Sequence, residues 1–424
     1  MLVPERYRKH VVSVGSLYGL QIATLVIPLV LLPFLTRRLG PDVWGVLAVQ
    51  TSLSTLMIVI MEFGFGFGAT REAAAVRGDR RSLGLIVSDL IGARVLLGVF
   101  VGAVWATVWF AVPIVRAEPA AYWWTLALTV VQGLSPSWFF QALGRLPYVM
   151  VRELAARVTS LVLIIAVVHV PEDAWLVPFL QFLTIAGALT LSSRTMLKLV
   201  DAGSPDLTRS LRMLRLNLHL CLTRLVQGLA PMGNTFILGV LLPSGAPFYA
   251  ASERTANAVR SLLAPVSQVA FPEVVVLMAQ DAARATVVVR RILLALLAGA
   301  ATLALGLWLA ADVVIHVLFG QEFNEAVPVF RLLVASVPLF AIVQVVGLQW
   351  LLPLKYDRPF LYSTIAGAAL NIAIGVLLVP HLGASGMAWA LLISEASLAG
   401  GLLAFTEFVG PDALRIFRRP RRAV

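Results

Sequence analysis

The chain has one cysteine, Cys221, so no intrachain disulfide can form and no thiol cluster can hold a metal. Charge is scarce as well. Charged residues are 13% of the 424, where a soluble domain carries about 25%. There is no HExxH pair, no GxxxxGK phosphate loop and no Cys/His cluster, so the common signatures of metallohydrolases and nucleotide-binding enzymes are missing. The one Gly-rich run, EFGFGFGATRE (62–72), follows an apolar helical stretch instead of a strand. It reads as a tight helix-end turn, not a dinucleotide fingerprint. Long hydrophilic blocks are also lacking: the longest, 198–215, has the length of a linker and leaves no room for a soluble catalytic domain.

What is abundant is apolar sequence. Hydrophobic residues are 59% of the chain and the mean hydropathy is +0.90. Runs of about twenty apolar residues follow one another from end to end, which predicts an all-α, multi-spanning membrane protein. Twelve spans are expected, at 12–35, 42–64, 84–113, 120–143, 147–169, 174–197, 210–241, 246–278, 287–311, 326–352, 359–380 and 384–409. The first has a basic start but no small-residue cleavage site, and is expected to stay in the membrane.

The net charge of +11 is a matter of topology, not of nucleic-acid binding. With the N-terminus inside, 23 of the 33 basic residues fall on cytoplasmic segments, including Arg415, Arg418, Arg419, Arg421 and Arg422 in the tail 411–424. Only Arg37, Arg38 and Arg116 fall on the other side, with the acidic turns 171–173 and 321–325. This asymmetry places both termini in the cytoplasm. Trp105, Trp109, Trp123 and Trp124 are expected in an interfacial belt.

A repeat divides the chain. Residues 132–148 read QGLSPSWFFQALGRLPY, and 212 positions later 344–360 read QVVGLQWLLPLKYDRPF. Gln132 and Gln344 lead Trp138 and Trp350 by six, and these lead Pro147 and Pro359 by nine. Each copy lies at the end of the fourth span of a six-span block, so the halves enter the membrane in the same direction, as a parallel repeat. The expected lobes are 1–200 and 201–424, rocking around a substrate site by alternating access, with Pro231 and Gly233 as a hinge in the seventh span.

Seven arginines, Arg94, Arg152, Arg157, Arg224, Arg254, Arg260 and Arg331, lie within spans. Each costs roughly 2.5–3.5 kcal/mol at a helix centre. They therefore pair, snorkel or line a watery cavity. Glu153 and Arg157 read as an i,i+4 ion pair. On the eighth span Glu253, Asn257, Arg260, Ser267 and Gln268 share a narrow arc, with Arg254 at its edge. Together with Arg224, Gln227 and Asn234 of the seventh span, Gln21 of the first and Gln50 of the second, they suggest a cationic cavity between lobes. Such a cavity suits an anion, since guanidinium groups match phosphate oxygens. Glu62, Asp89 and Glu273 are candidate coupling carboxylates.

Over nearly its whole length the chain resembles the polysaccharide and O-antigen flippase branch of the multidrug/oligosaccharidyl-lipid/polysaccharide exporter superfamily. The segments that carry this are LLPFLTRRLGPDVWG (31–45), EFGFGFGATRE (62–72), SPSWFFQALGR (135–145), LFGQEFNEAVPVFRLL (318–333) and NIAIGVLLVPHLGASGMAWA (371–390). Arg37, Gly40, Gly45, Gly64, Arg71, Pro136 and Trp138 match recurrent family positions. The resemblance implies twelve helices in two lobes in a bacterial inner membrane. It implies no enzymatic activity and no cofactor, but movement of an undecaprenyl-diphosphate-linked glycan to the outer leaflet. Its partners would be that glycan, membrane lipids and other polysaccharide-assembly membrane proteins. Coupling to protons, sodium or the membrane potential stays open. A multidrug-type ion-coupled antiporter and a membrane glycosyltransferase or ligase are the alternatives.

Overall fold

The computed structural model describes the backbone of residues 5–201, 203–263, 274–278 and 280–409. Side chains are described from residue 26 onward, except 223, 226–232, 282 and 409. Gln268 and Glu273 lie outside the described residues, as do the side chains of Gln21, Gln227 and Pro231.

Every described element is helical, as an apolar chain that must satisfy its own backbone groups requires. The helices are α1 (Glu5–Glu62), α2 (Gly68–Ala75), α3 (Arg80–Ala111), α4 (Pro119–Gly133), α5 (Ser137–Ala142), α6 (Leu146–Val167) and α7 (Leu176–Lys198). They continue as α8 (Leu207–Leu241), α9 (Ala246–Ser261), α10 (Ala282–Leu309), α11 (Ala311–Phe319), α12 (Ala326–Ala335), α13 (Val337–Val343) and α14 (Asp357–Ala404). Six segments are long and apolar enough to cross a membrane by length and composition, among them Val26–Glu62, Arg80–Ala111 and Asp357–Phe408. The chain is a multi-pass membrane protein.

Two of these helices are pairs joined at a glycine. In α1 the backbone breaks at Gly40, with φ 72°, and Pro41 follows; in α14 it breaks at Gly383, with φ 60°. Only glycine takes these left-handed angles without strain, so each break marks a hairpin between two expected spans. Elsewhere side chains set the ends. Asp79 caps α3 by accepting from the backbone N–H groups of Arg81 and Ser82, and the Ser82 hydroxyl, followed by these two bonds, holds its carboxyl below the usual carboxylate range.

The chain forms two compact units, Met1–Gly228 and Leu229–Val424. In the first, α1 packs on α4 and α6, and α7 packs on α4 and α6. In the second, α9 packs on α12, α10 on α13, and α12 and α13 on α14. The expected aromatic belt is only partly at the surface. Trp105 is fully buried, with its ring 4.9 Å from that of Tyr122, whose hydroxyl donates to the Trp105 carbonyl. It is a packing residue, whereas Trp123 is exposed.

Both copies of the repeat depart from α geometry. The first contains the break between α4 and α5, with Pro136 as the N-cap; in the second, Gln344–Leu351 is wound as a π-helix. Trp138 and Trp350 are both buried, so they anchor packing inside their units. Each copy then reverses through a left-handed residue, Gly144 (φ 68°) or Lys355 (φ 63°), just before the next helix.

The glycine-rich run forms the expected turn. Phe63–Phe67 leads from α1 to α2, and Gly64 has φ 75°. A Cβ on Gly64 would sit 2.6 Å from the Leu220 Cβ, and one on Gly68 would overlap the Asn217 side chain, so the turn lies flat against α8. Gly66 faces open space. Gly64→Ala combines a forbidden angle with a clash and is expected to cost about 2–4 kcal/mol. Gly66→Ala is expected to stay within about 0.5 kcal/mol. Melting temperatures of the two purified variants check this, and equal values would show that the turn does not pack as described.

Candidate functional site

Many of the charged side chains inside the helices are held by polar partners within their own unit. In the second unit α9 carries Glu253, Arg254, Asn257 and Arg260. Arg260 is buried; its Nη2 donates to the Ser336 hydroxyl at 2.5 Å, and its Nη1 lies 3.7 Å from Glu395 of α14. The Phe340 ring completes its surroundings, with its centroid 5.4 Å from the guanidinium carbon. Ser336 is available because the helix breaks there. It sits between α12 and α13, and Pro338 in the first turn of α13 cannot donate to the preceding turn.

A second strand of this network runs from α9 to α8 and α14. The Thr235 hydroxyl donates to Glu253 at 2.7 Å. Asn234 donates to the Tyr249 hydroxyl at 3.0 Å, and Asn371 donates to Asn234 at 2.6 Å. Glu253, Asn234 and Asn371 are all buried, and Asn257 is half-buried on the same helix. Glu395 and Asn371 are members that helix periodicity on the eighth span could not supply, because Glu395 lies far along the chain from Arg260 and Asn371 is 137 positions from Asn234.

In the first unit Arg224 pairs with Glu62 at 2.6 Å, both half-exposed. The glycine turn makes this contact by bringing the end of α1 against α8. Asp89 pairs with Arg209 at 3.0 Å, and its carbonyl accepts from the Ser210 hydroxyl. With the Ser88 hydroxyl donating to the Gly203 carbonyl, these bonds fasten the linker onto α3. Gln50 is fully buried and donates to the carbonyls of Val115 and Glu118, each at 3.2 Å, so it supports the loop between α3 and α4.

The break between α4 and α5 gathers further polar groups. The buried Arg94 donates to the Ser135 carbonyl at 3.0 Å, and the Ser135 hydroxyl donates to Glu153 at 2.7 Å. Glu153 and Arg157, expected as an ion pair, are not paired; Glu153 is turned to Ser135, and Arg157 forms no ion pair among the described residues. Both line a cavity of about 130 Å³ within the first unit, beside Glu62, Gln132, Ser135 and Ser192. Gln132, the first residue of the repeat, was not among the expected site residues; its signal is its place next to a Pro-interrupted helix. No group of His, Cys, Asp and Glu among the described residues is placed to hold a metal.

Comparison with known proteins supplies the context. The family model described as "Polysaccharide biosynthesis protein" matches residues 11–278, more than half of the chain. A protein of Escherichia coli (strain K12) named "Putative O-antigen transporter" is 22% identical over 409 residues, covering 94% of this chain and 96% of its own length. Among solved structures, the lipid II flippase MurJ in an inward closed conformation matches with a TM-score of 0.69 at 10% identity, over 93% of this chain and 87% of its own. An inward-facing multidrug resistance MATE family transporter of the MOP superfamily matches with a TM-score of 0.64 at 15% identity, over 89% and 93%. These relatives are transporters and flippases, not enzymes, and the two structures share this chain's fold. Because that family model spans more than half of its residues, the chain belongs to the polysaccharide biosynthesis protein family.

Proposed function

We propose that this protein is a flippase of a bacterial inner membrane that carries a polyprenyl-diphosphate-linked oligosaccharide from the cytoplasmic to the outer leaflet. The observation that carries this reading is the likeness, over 94% of the chain, to a protein named as an O-antigen transporter. The charge distribution supports it, with both termini read as cytoplasmic. An oligosaccharide linked to a diphosphate asks for cations inside the membrane, and the units offer them: Arg224 in the first, Arg254 and Arg260 in the second. Guanidinium groups take phosphate oxygens in pairs, and they do so more strongly away from water. The partners proposed are the undecaprenyl-diphosphate glycan and the surrounding lipid. The lipid tail stays in the bilayer while the head crosses.

Access would alternate by bending α8 near Pro231 and Gly233. In support, the boundary between the two compact units falls at Gly228 and Leu229, within this helix and beside those residues.

The function is tested in sealed proteoliposomes holding a defined undecaprenyl-diphosphate oligosaccharide, by following exposure of its headgroup to an outside reagent. Wild-type protein is expected to expose it without covalent change, and Arg224→Ala and Arg254→Ala to slow this by roughly 10-fold or more, the loss of about 1.4 kcal/mol of interaction. No exposure with well-folded protein across several glycans would overturn the reading.

Arg260 needs a stability control because it shares a buried pair with Glu395. Glu395→Leu alone leaves a buried cation and is expected to cost about 3–5 kcal/mol, while Arg260→Met with Glu395→Leu recovers most of it. Melting temperatures of the single and double variants decide. Additive losses would mean the two side chains do not interact.

A further inference from the structure

Charged groups facing a cavity in the apolar part of a membrane protein have few reasons to be there. The cavity of about 130 Å³ in the first unit is walled by α1, α4, α6 and α7 and by the break at Ser135 and Pro136. Its chemistry is mixed. Arg157, Glu153, Glu62, Gln132, Ser135 and Ser192 supply donors and acceptors at short intervals, and Ile58, Val131 and Leu189 supply apolar wall.

Three observations separate this cavity from a mere packing defect. A single buried water needs only about 10–15 Å³, so the space accommodates something far larger. Arg157 lies on α6 one turn after Glu153, yet Glu153 turns to the Ser135 hydroxyl and leaves the guanidinium without an ion-pair partner among the described residues. The third is the interruption of the wall itself. Between Gly133 and Ser137 the helix gives up its regular bonds, and Arg94 takes the freed Ser135 carbonyl. Interrupted membrane helices are where transporters place ligands, and this one holds the first copy of the repeat.

The charges also say what the ligand is not. Glu62 is already neutralised by Arg224, and Glu153 and Arg157 balance each other in sum. Arg224 and Arg94 are already held by Glu62 and the Ser135 carbonyl, so Arg157 is the guanidinium left for a ligand, and a diphosphate would have to compete with bonds already made. Alternating carboxylate, guanidinium, amide and hydroxyl groups, with an apolar wall, instead match the vicinal hydroxyls and carbon face of a sugar ring.

We propose that this cavity is a monosaccharide-binding subsite that recognises one uncharged or zwitterionic sugar of the carried glycan through Arg157, Glu153 and Gln132. This rests on the flippase reading, and it adds a sugar site in the first unit whose lining residue Glu62 is paired with Arg224, one of the arginines assigned to the phosphates.

The test uses a single cysteine on the cavity wall, Ser192→Cys in a Cys221→Ala background, labelled with a small maleimide in detergent. Two probes are compared, undecaprenyl diphosphate and undecaprenyl diphosphate bearing N-acetylglucosamine. The sugar-bearing probe is expected to slow labelling at least about fivefold relative to the sugarless one, reflecting roughly 1 kcal/mol of occupancy. Adding Gln132→Leu is expected to abolish the difference, with an unchanged melting temperature showing that the fold is intact. Equal labelling with both probes overturns the proposal, as does a difference that survives both Gln132→Leu and Arg157→Leu. Headgroup exposure in proteoliposomes is read separately. Sugar-specific protection without exposure would sink the flippase reading and leave the sugar site standing, and exposure without protection would do the reverse.

Discussion

A backbone carbonyl or a guanidinium surrounded by apolar matter must find its partner inside the protein, and this requirement organises both units. Where a helix is interrupted, it frees polar groups; where an arginine is buried, it needs them. The chain brings the two needs to the same place. Arg94 takes the carbonyl freed at the break before α5, and Arg260 takes the hydroxyl of Ser336 at the break before α13. In each case a carboxylate stands by, Glu153 at Ser135 and Glu395 at Arg260.

The repeat shares this logic without being a copy of it. Its two segments differ in how they leave α geometry, one by a break at Pro136 and the other by a π-helical stretch over Gln344–Leu351. Their second halves agree: both have a buried Trp, a left-handed residue, and a proline in the first turn of the next helix. The shared skeleton of Gln, Trp, Pro and an aromatic residue is thus a recipe for one bend. The prolines lie in the first turns of the following helices, and the tryptophans are buried.

Much of the fold was legible because its signals are local. The apolar runs and the gaps expected between them at 36–41 and 381–383 act within a few residues, and the structure has helices there broken at Gly40 and Gly383. The glycine-rich run is the turn its sequence suggests, but the run itself does not reveal that Leu220 and Asn217 press on its glycines. Partners were the illegible part. Arg157 looked paired with Glu153 at i,i+4, yet Ser135, 18 positions before Glu153, won the carboxylate because the broken helix delivers it closer. Glu62 met Arg224 from 162 positions away, and Asp89 met Arg209 from 120. Helix periodicity says which side chains share a face, but it carries no information about which distant face arrives opposite.

The same distribution of partners bears on how α8 would act in transport. Its N-terminal half is tied down in the first unit through Arg209, Ser210 and Arg224, and its C-terminal half in the second through Asn234 and Thr235. Each of these bonds stays inside one unit. The proposed hinge residues Pro231 and Gly233 lie between these two sets of bonds in sequence. A bend confined there would leave all of them in place. Pro231 has no N–H, so one helical hydrogen bond is already missing there. A bend costs of the order of 1 kcal/mol for each further bond loosened, against about 3–5 kcal/mol for parting a buried pair such as Arg260 and Glu395. That difference is the physical reason to place the proposed hinge at Pro231 and not in the charged networks on either side.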